Sequence, residues 1–119
     1  MIRATARKVD TEPVEGPPGV IRTTIAHNEQ LMLCHFFLKK GAQIPMHSHL
    51  AAQNGYLISG KIRMIWETGK DFIASTGDGW CFASNERHCA EILEDCEAIE
   101  CFTPSRPEYE PRKLAGEKT

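Results

Sequence analysis

Two histidines separated by a single residue, His47 and His49, constrain this chain more than any other feature. They lie in Gly41-Ala42-Gln43-Ile44-Pro45-Met46-His47-Ser48-His49-Leu50-Ala51-Ala52-Gln53, a stretch that closes at Gly60. Side chains at i and i+2 of an extended segment point to the same face, so both imidazoles look into one space. Gln53 keeps the same odd parity and joins them if the strand runs on or bends gently. Imidazole nitrogen and amide oxygen are both ligands for divalent transition metals. Gly41 and Gly60 suit sharp turns, because glycine accepts positive φ. A further ligand is available in Gly77-Asp78-Gly79-Trp80-Cys81-Phe82-Ala83-Ser84-Asn85-Glu86-Arg87-His88. His88 opens an alternating run in which His88, Ala90 and Ile92 share an inward face while Glu91 faces out. Neighbouring strands of a β-barrel would set His88 opposite His47 and His49.

The rest of the chain reads as strands. Residues 20–26 are β-branched, residues 27–30 form a turn, and residues 31–38 form a second strand. On it Leu31, Leu33, His35 and Phe37 share one face and Met32, Cys34, Phe36 and Leu38 the other, so the strand expects cover on both sides. His35 reads as a buried or half-buried histidine bonded to backbone in preference to a pocket residue, and His27 as a solvated turn residue. Residues 53–59, 61–67, 71–75, 79–82, 88–92 and 96–102 complete the set, with Thr68-Gly69-Lys70 as a hairpin turn. Turns every eight to twelve residues indicate an all-β sandwich or barrel. We divide the chain into an N-terminal arm or edge strand (1–19), a barrel (20–105) and a polar tail (106–119) whose last residues, 112–119, fray.

Composition narrows the function. A chain of 119 residues makes one domain, able to bury about two-thirds of its unfolded surface. Lys and Arg number 14 and Asp and Glu 16, a net charge of −2, which points to neither nucleic acid nor an anionic membrane as partner. The longest apolar run, residues 31–38, is too short to span a bilayer. The five cysteines form no Cys-x-x-Cys pair, and residues 1–18 carry charges without an apolar core. We expect a cytoplasmic protein with free, mostly buried thiols and no cysteine ligand.

The first stretch resembles the cupin pattern Gly-x5-His-x-His-x3-Gln-x6-Gly at every anchor, with Gln53 in a slot that is often Glu. The second resembles Gly-x5-Pro-x-Gly-x2-His, with Ala83 in place of the Pro and Asn85 in place of the Gly. Asn tolerates the left-handed region better than most residues, so Asn85 suits that turn. A lone His-x-His is often a solvated loop; four prospective ligands in two glycine frames at this spacing are far more specific. The resemblance implies a jelly-roll β-barrel, one divalent transition metal (Ni, Zn, Mn, Fe or Co) on His47, His49, Gln53 and His88, and a homodimer in which the arm adds a strand to the partner's sheet.

Four neutral ligands leave a divalent ion its full charge, which favours Lewis-acid work over oxygen-activating iron chemistry. On the last strand Ala98, Glu100 and Phe102 share the expected inward face, placing a carboxylate beside the metal as general acid or base, or as a partner to a metal-bound imidazole. Residue by residue, Glu100-Cys101-Phe102-Thr103-Pro104-Ser105-Arg106-Pro107-Glu108-Tyr109 resembles the C-terminal signature of small KdgF-type cupins, with Glu100 where an Asp is usual. The Gln53-Asn54-Gly55-Tyr56 run resembles that group too. The resemblance implies linearisation of an unsaturated uronate, with Glu100 and Arg106 catalytic and Phe102, Arg106 and Tyr56 on the substrate, a small carboxylate. Two rivals stand beside it: an Fe- or Mn-dependent cupin dioxygenase, and a non-enzymatic small-molecule-binding module.

Overall fold

Residues 11–110 are described by the computed structural model. Ten strands run in order: β1 (Val14–Glu15), β2 (Val20–His27), β3 (Met32–Leu38), β4 (Gln43–His47), β5 (Ala52–Ser59), β6 (Lys61–Trp66), β7 (Asp71–Ser75), β8 (Gly79–Phe82), β9 (His88–Ile92) and β10 (Cys96–Thr103). A single turn of 3-10 helix, Pro107–Tyr109, follows. The strands form two antiparallel sheets, one of order β1-β2-β3-β10-β5-β8 and one of order β4-β9-β6-β7. This is the expected all-β jelly roll, two sheets packed face to face.

Alternation places the core. Cys34 and Phe36 of β3, Leu57 of β5, Ile62 and Met64 of β6, Phe82 of β8, Ile92 of β9 and Ala98 and Phe102 of β10 are all buried between the sheets. Turn chemistry closes the frame. Asn28 Oδ1 accepts hydrogen bonds from the backbone N–H groups of Gln30 and Leu31, fixing the β2–β3 turn. Gly60, between β5 and β6, has a φ of 110°, and a Cβ there would meet Asp95 O and Cys96 Sγ at 2.5 Å. Asn85 has a φ of 62°, the left-handed conformation that its place in the turn before His88 calls for.

Several local expectations need correction. The His-x-His segment is not one extended strand: β4 ends at His47, and the chain then bends across to the other sheet, where β5 begins at Ala52. His27 is not solvated; it closes β2 and is only 8% exposed. His35 is buried as expected, but its partner is a side chain, with Nε2 2.6 Å from Glu97 Oε2. The thiols are not mostly buried: Cys34 and Cys96 are, Cys89 is half-buried, and Cys81 and Cys101 are exposed.

At the ends, β1 pairs with β2 of its own chain, Val14 opposite Arg22. Residues 106–110 do not trail away: Arg106 and Tyr109 are half-buried, and Tyr109 packs against the core. The rest of the expected arm, residues 1–10, and the fraying expected at 112–119 lie outside the described residues. Among the described residues, no helix is long and apolar enough to cross a membrane.

Candidate metal centre and its pocket

His47 and His88 are cross-strand partners at the ends of β4 and β9, which sets their side chains side by side. Their ring centroids are 4.4 Å apart. His49 reaches the same point from the bend that leads to β5, its ring 5.4 Å from each of the other two. One ligand atom from each of the three lies within 4.8 Å of the others.

Each ring is oriented by its own stretch of backbone. His47 Nδ1 donates to the Pro45 carbonyl at 2.8 Å, His49 Nδ1 to the Ala51 carbonyl at 2.6 Å and His88 Nδ1 to the Glu86 carbonyl at 2.7 Å. A ring nitrogen facing a carbonyl carries the proton, so in each neutral ring Nε2 holds the lone pair. Phe82 stacks on the His88 ring at 3.8 Å, with 9° between the planes. The two loops that carry the ligands are tied together, with Asn85 N–H donating to the His49 carbonyl and Ser84 Oγ to the Leu50 carbonyl.

The electrostatics suit a cation. Burial lowers the His88 pKa to about 4, against the opposing pull of the Glu86 carbonyl. Burial and the Arg106 charge lower that of His49. Both shifts favour the neutral imidazole, the form that ligates metal. The Nε2 atoms of His49 and His88 are buried and have no hydrogen-bond partner. Buried polar atoms are rarely left so, and a divalent transition metal held by His47, His49 and His88 would satisfy them.

Gln53 comes from the opposite sheet. It is buried and its Nε2 donates to Glu100 Oε2 at 2.7 Å. With its amide nitrogen so engaged, its carbonyl oxygen is the atom left for a metal. A Glu at this position would set two carboxylates against each other, which explains why the amide stands here. The other oxygen of Glu100 accepts from Trp80 Nε1 at 3.1 Å. Gly55 makes room for that indole, since a Cβ on it would lie 2.4 Å from the Trp80 ring. Burial pushes the Glu100 carboxyl up to about 7, opposed by the Trp80 hydrogen bond and the Arg106 charge.

One cavity holds these groups. His47, His88, Gln53, Glu100, Phe102 and Arg106 all line it. Phe102 is buried, with its ring edge-to-face to His49 at 6.0 Å. Arg106 folds back over it, Cζ 5.2 Å from the Phe102 ring, and its Nε donates to Glu108 at 2.7 Å.

Tyr56 does not join them. Gln53, Gly55 and Leu57 face the interior along β5, so Tyr56 faces out; it is 49% exposed and pairs with Ile99 on the outer surface. The parity of the strand carried that signal, because a residue three positions from Gln53 must take the opposite face. Sequence reasoning missed Trp80, Tyr109 and Arg22. Trp80 had a readable cue, since Trp80 and Phe82 alternate inward along a strand that precedes His88. Tyr109 and Arg22 meet only through the fold of the C-terminal segment.

Comparison with known proteins agrees with this geometry. The profile of the Cupin domain matches residues 34–101. A search of curated proteins found no match. Among solved structures, an RmlC-like cupin from Shewanella frigidimarina superposes with a TM-score of 0.83 at 22% identity, covering 92% of this chain and 99% of its own. KdgF from a Halomonas species gives 0.78 at 27% identity, covering 87% and 97%. A variant of Bacillus subtilis oxalate decarboxylase gives 0.74 at 26% identity, with 96% of this chain on 33% of that larger one. With the profile spanning more than half of its length and the jelly roll behind it, this chain belongs to the cupin family.

Proposed function

We propose that this protein is a metal-dependent enzyme that linearises a small unsaturated uronate to an open-chain keto acid. The observation that supports it most is Glu100, fixed by one donor on each oxygen in the same cavity as the histidine cluster and Arg106. The likeness to KdgF, over nearly the whole of both chains, supports the substrate class. His47, His49, His88 and Gln53 would hold the ion. When bound, a divalent metal here (Ni, Zn, Mn, Fe or Co) supplies Lewis acidity toward a substrate oxygen.

The chain's own groups do the rest. Arg106 binds the substrate carboxylate through its terminal N–H groups, its Nε being held by Glu108. Phe102 provides the apolar wall beneath the sugar ring. Glu100 takes the proton of the hydroxyl at C1; C1 becomes the aldehyde as its bond to the ring oxygen breaks. The electron pair passes to the ring oxygen, leaving an enolate across C5 and C4. Glu100 returns the proton to C4, and the product is a keto acid with no net change in atoms. A carboxyl with its pKa near neutrality is suited to both transfers.

The test is turnover of 4,5-unsaturated galacturonate, followed by loss of its absorbance before and after metal loading, in wild type, Glu100→Gln and Arg106→Met. No loss at any metal loading overturns the substrate. The likeness to oxalate decarboxylase favours a second reading, decarboxylation of a small diacid. Carbon dioxide release from oxalate separates the two. We also propose a cytoplasmic homodimer, whose contact is the outer face of the six-stranded sheet, where Tyr56, Ile58 and Ile99 are exposed.

A further inference from the structure

Arg22 is a cation in an unusual place. It lies on the inner face of β2, opposite Phe36 of β3, and is 9% exposed. None of the ion pairs among the described residues involves it, and its Nε is buried without a hydrogen-bond partner. A buried guanidinium with no anion paired to it among the described residues is costly, and an aliphatic side chain packs at such a site more cheaply. What it does have is a ring: its Cζ stands 3.9 Å from the centroid of Tyr109. Arg106 Cζ stands 3.9 Å from the same centroid. Two guanidiniums that close over one face would overlap, so they take opposite faces. The phenol is the middle layer of a stack, with Arg106 on the cavity side, where it lines the pocket, and Arg22 behind.

The middle layer is itself fixed. Thr24 Oγ1 donates to the Tyr109 carbonyl, and the Tyr109 ring meets Phe102 edge-on at 5.5 Å. Upstream, Ser105 Oγ shares its one proton between the carbonyls of Asn28 and Leu31, tying down the start of the segment. Arg106 therefore springs from an anchored backbone and lies against an anchored ring. Its guanidinium plane is set before any ligand arrives, the condition under which a two-pronged grip on a carboxylate is most selective.

We propose that Tyr109 and Arg22 are positioning residues: they hold Arg106 in its carboxylate-binding pose and bias the pocket toward acids over neutral sugars. This rests on Arg106 being the carboxylate-binding group of the proposed function. Its test therefore has one arm that needs no ligand and one that does. In the first arm, arginine side-chain nitrogen resonances are recorded for the full chain. Wild type is expected to show ring-shifted, slowly exchanging Nε–H signals for Arg22 and Arg106. Tyr109→Phe keeps both, Tyr109→Leu loses both, and Arg22→Met shifts the signal of Arg106. In the second arm, galacturonate and galactose are titrated into the zinc-loaded protein by tryptophan fluorescence. Tyr109→Leu is expected to weaken galacturonate about tenfold, leave galactose unchanged, and add nothing further to Arg106→Met. An unchanged Arg106 signal in Tyr109→Leu overturns the stack whatever the pocket binds, as does an effect fully additive with Arg106→Met. Shifted signals in a protein that binds galacturonate no better than galactose support the stack and overturn Arg106 as the carboxylate-binding group instead.

Discussion

Glu100 carries the most information for a single side chain. Its carboxyl is raised from 4.5 to about 7 by burial, so folding favours its protonated form. The stability that this contributes is complete below pH 4.5 and is lost as the pH rises through about 7. His88 works the other way: lowered from 6.5 to about 4, it favours the folded state above 6.5 and costs stability as the pH falls toward 4. The two trends oppose each other across one window, so the readout is a difference. In chelator-treated protein, the melting temperature of wild type minus that of Glu100→Gln should fall as the pH is raised from 4.5 to 7. Asn85 gives a second check. At a φ of 62°, Asn85→Gly should be tolerated, whereas Asn85→Ala should cost about 1 kcal/mol in urea unfolding.

The residues that proved legible were those whose role is local. Asn85 was readable because a turn of known spacing demands a left-handed residue, and His88 because alternation fixes its face. Those that were not depend on distant chain. His35 finds Glu97 across a strand pair that brings together residues 62 positions apart. Arg22 meets Tyr109 through a terminal segment whose polar sequence resembles a solvated tail.

At the scale of elements, β2, β3 and β5 to β10 were legible as strands, since alternation and turn residues recur together, whereas β4 was not set apart from the segment that follows it. What alternation could not show was the passage between His47 and Gln53 from one sheet to the other, because parity is counted as though the strand continued. The β5–β8 pair shows how element geometry serves the site. Gly55 lies opposite Trp80, and the missing Cβ lets the indole reach Glu100. Gly55→Ala would push a methyl into the indole, so Trp80 should leave the carboxylate. We expect a shifted tryptophan emission and about a tenfold drop in kcat, with the histidine cluster still able to take up zinc in a metal titration.

For the whole molecule, the uncovered apolar surface matters most. Tyr56 and Ile99 are cross-strand partners on the outer face, next to Ile58, and all three are at least one-third exposed. If a second copy covers them, light scattering should give twice the chain mass for wild type. Ile99→Glu should give the chain mass itself, with a melting temperature that now ignores protein concentration. A single-chain mass for wild type at all concentrations overturns the dimer.

The bend after His47 has a mechanical consequence. His47 and His88 belong to one leaf of the sandwich and Gln53 to the other, so an ion gripped by all of them rivets the two leaves at one end. Peeling the leaves apart then requires the rivet to be drawn, and resistance to heat becomes a gauge of how fully the protein is loaded. Zinc at about a hundred times its dissociation constant should add about 2.7 kcal/mol to the unfolding free energy, an increment that Gln53→Ala reduces at the same zinc concentration.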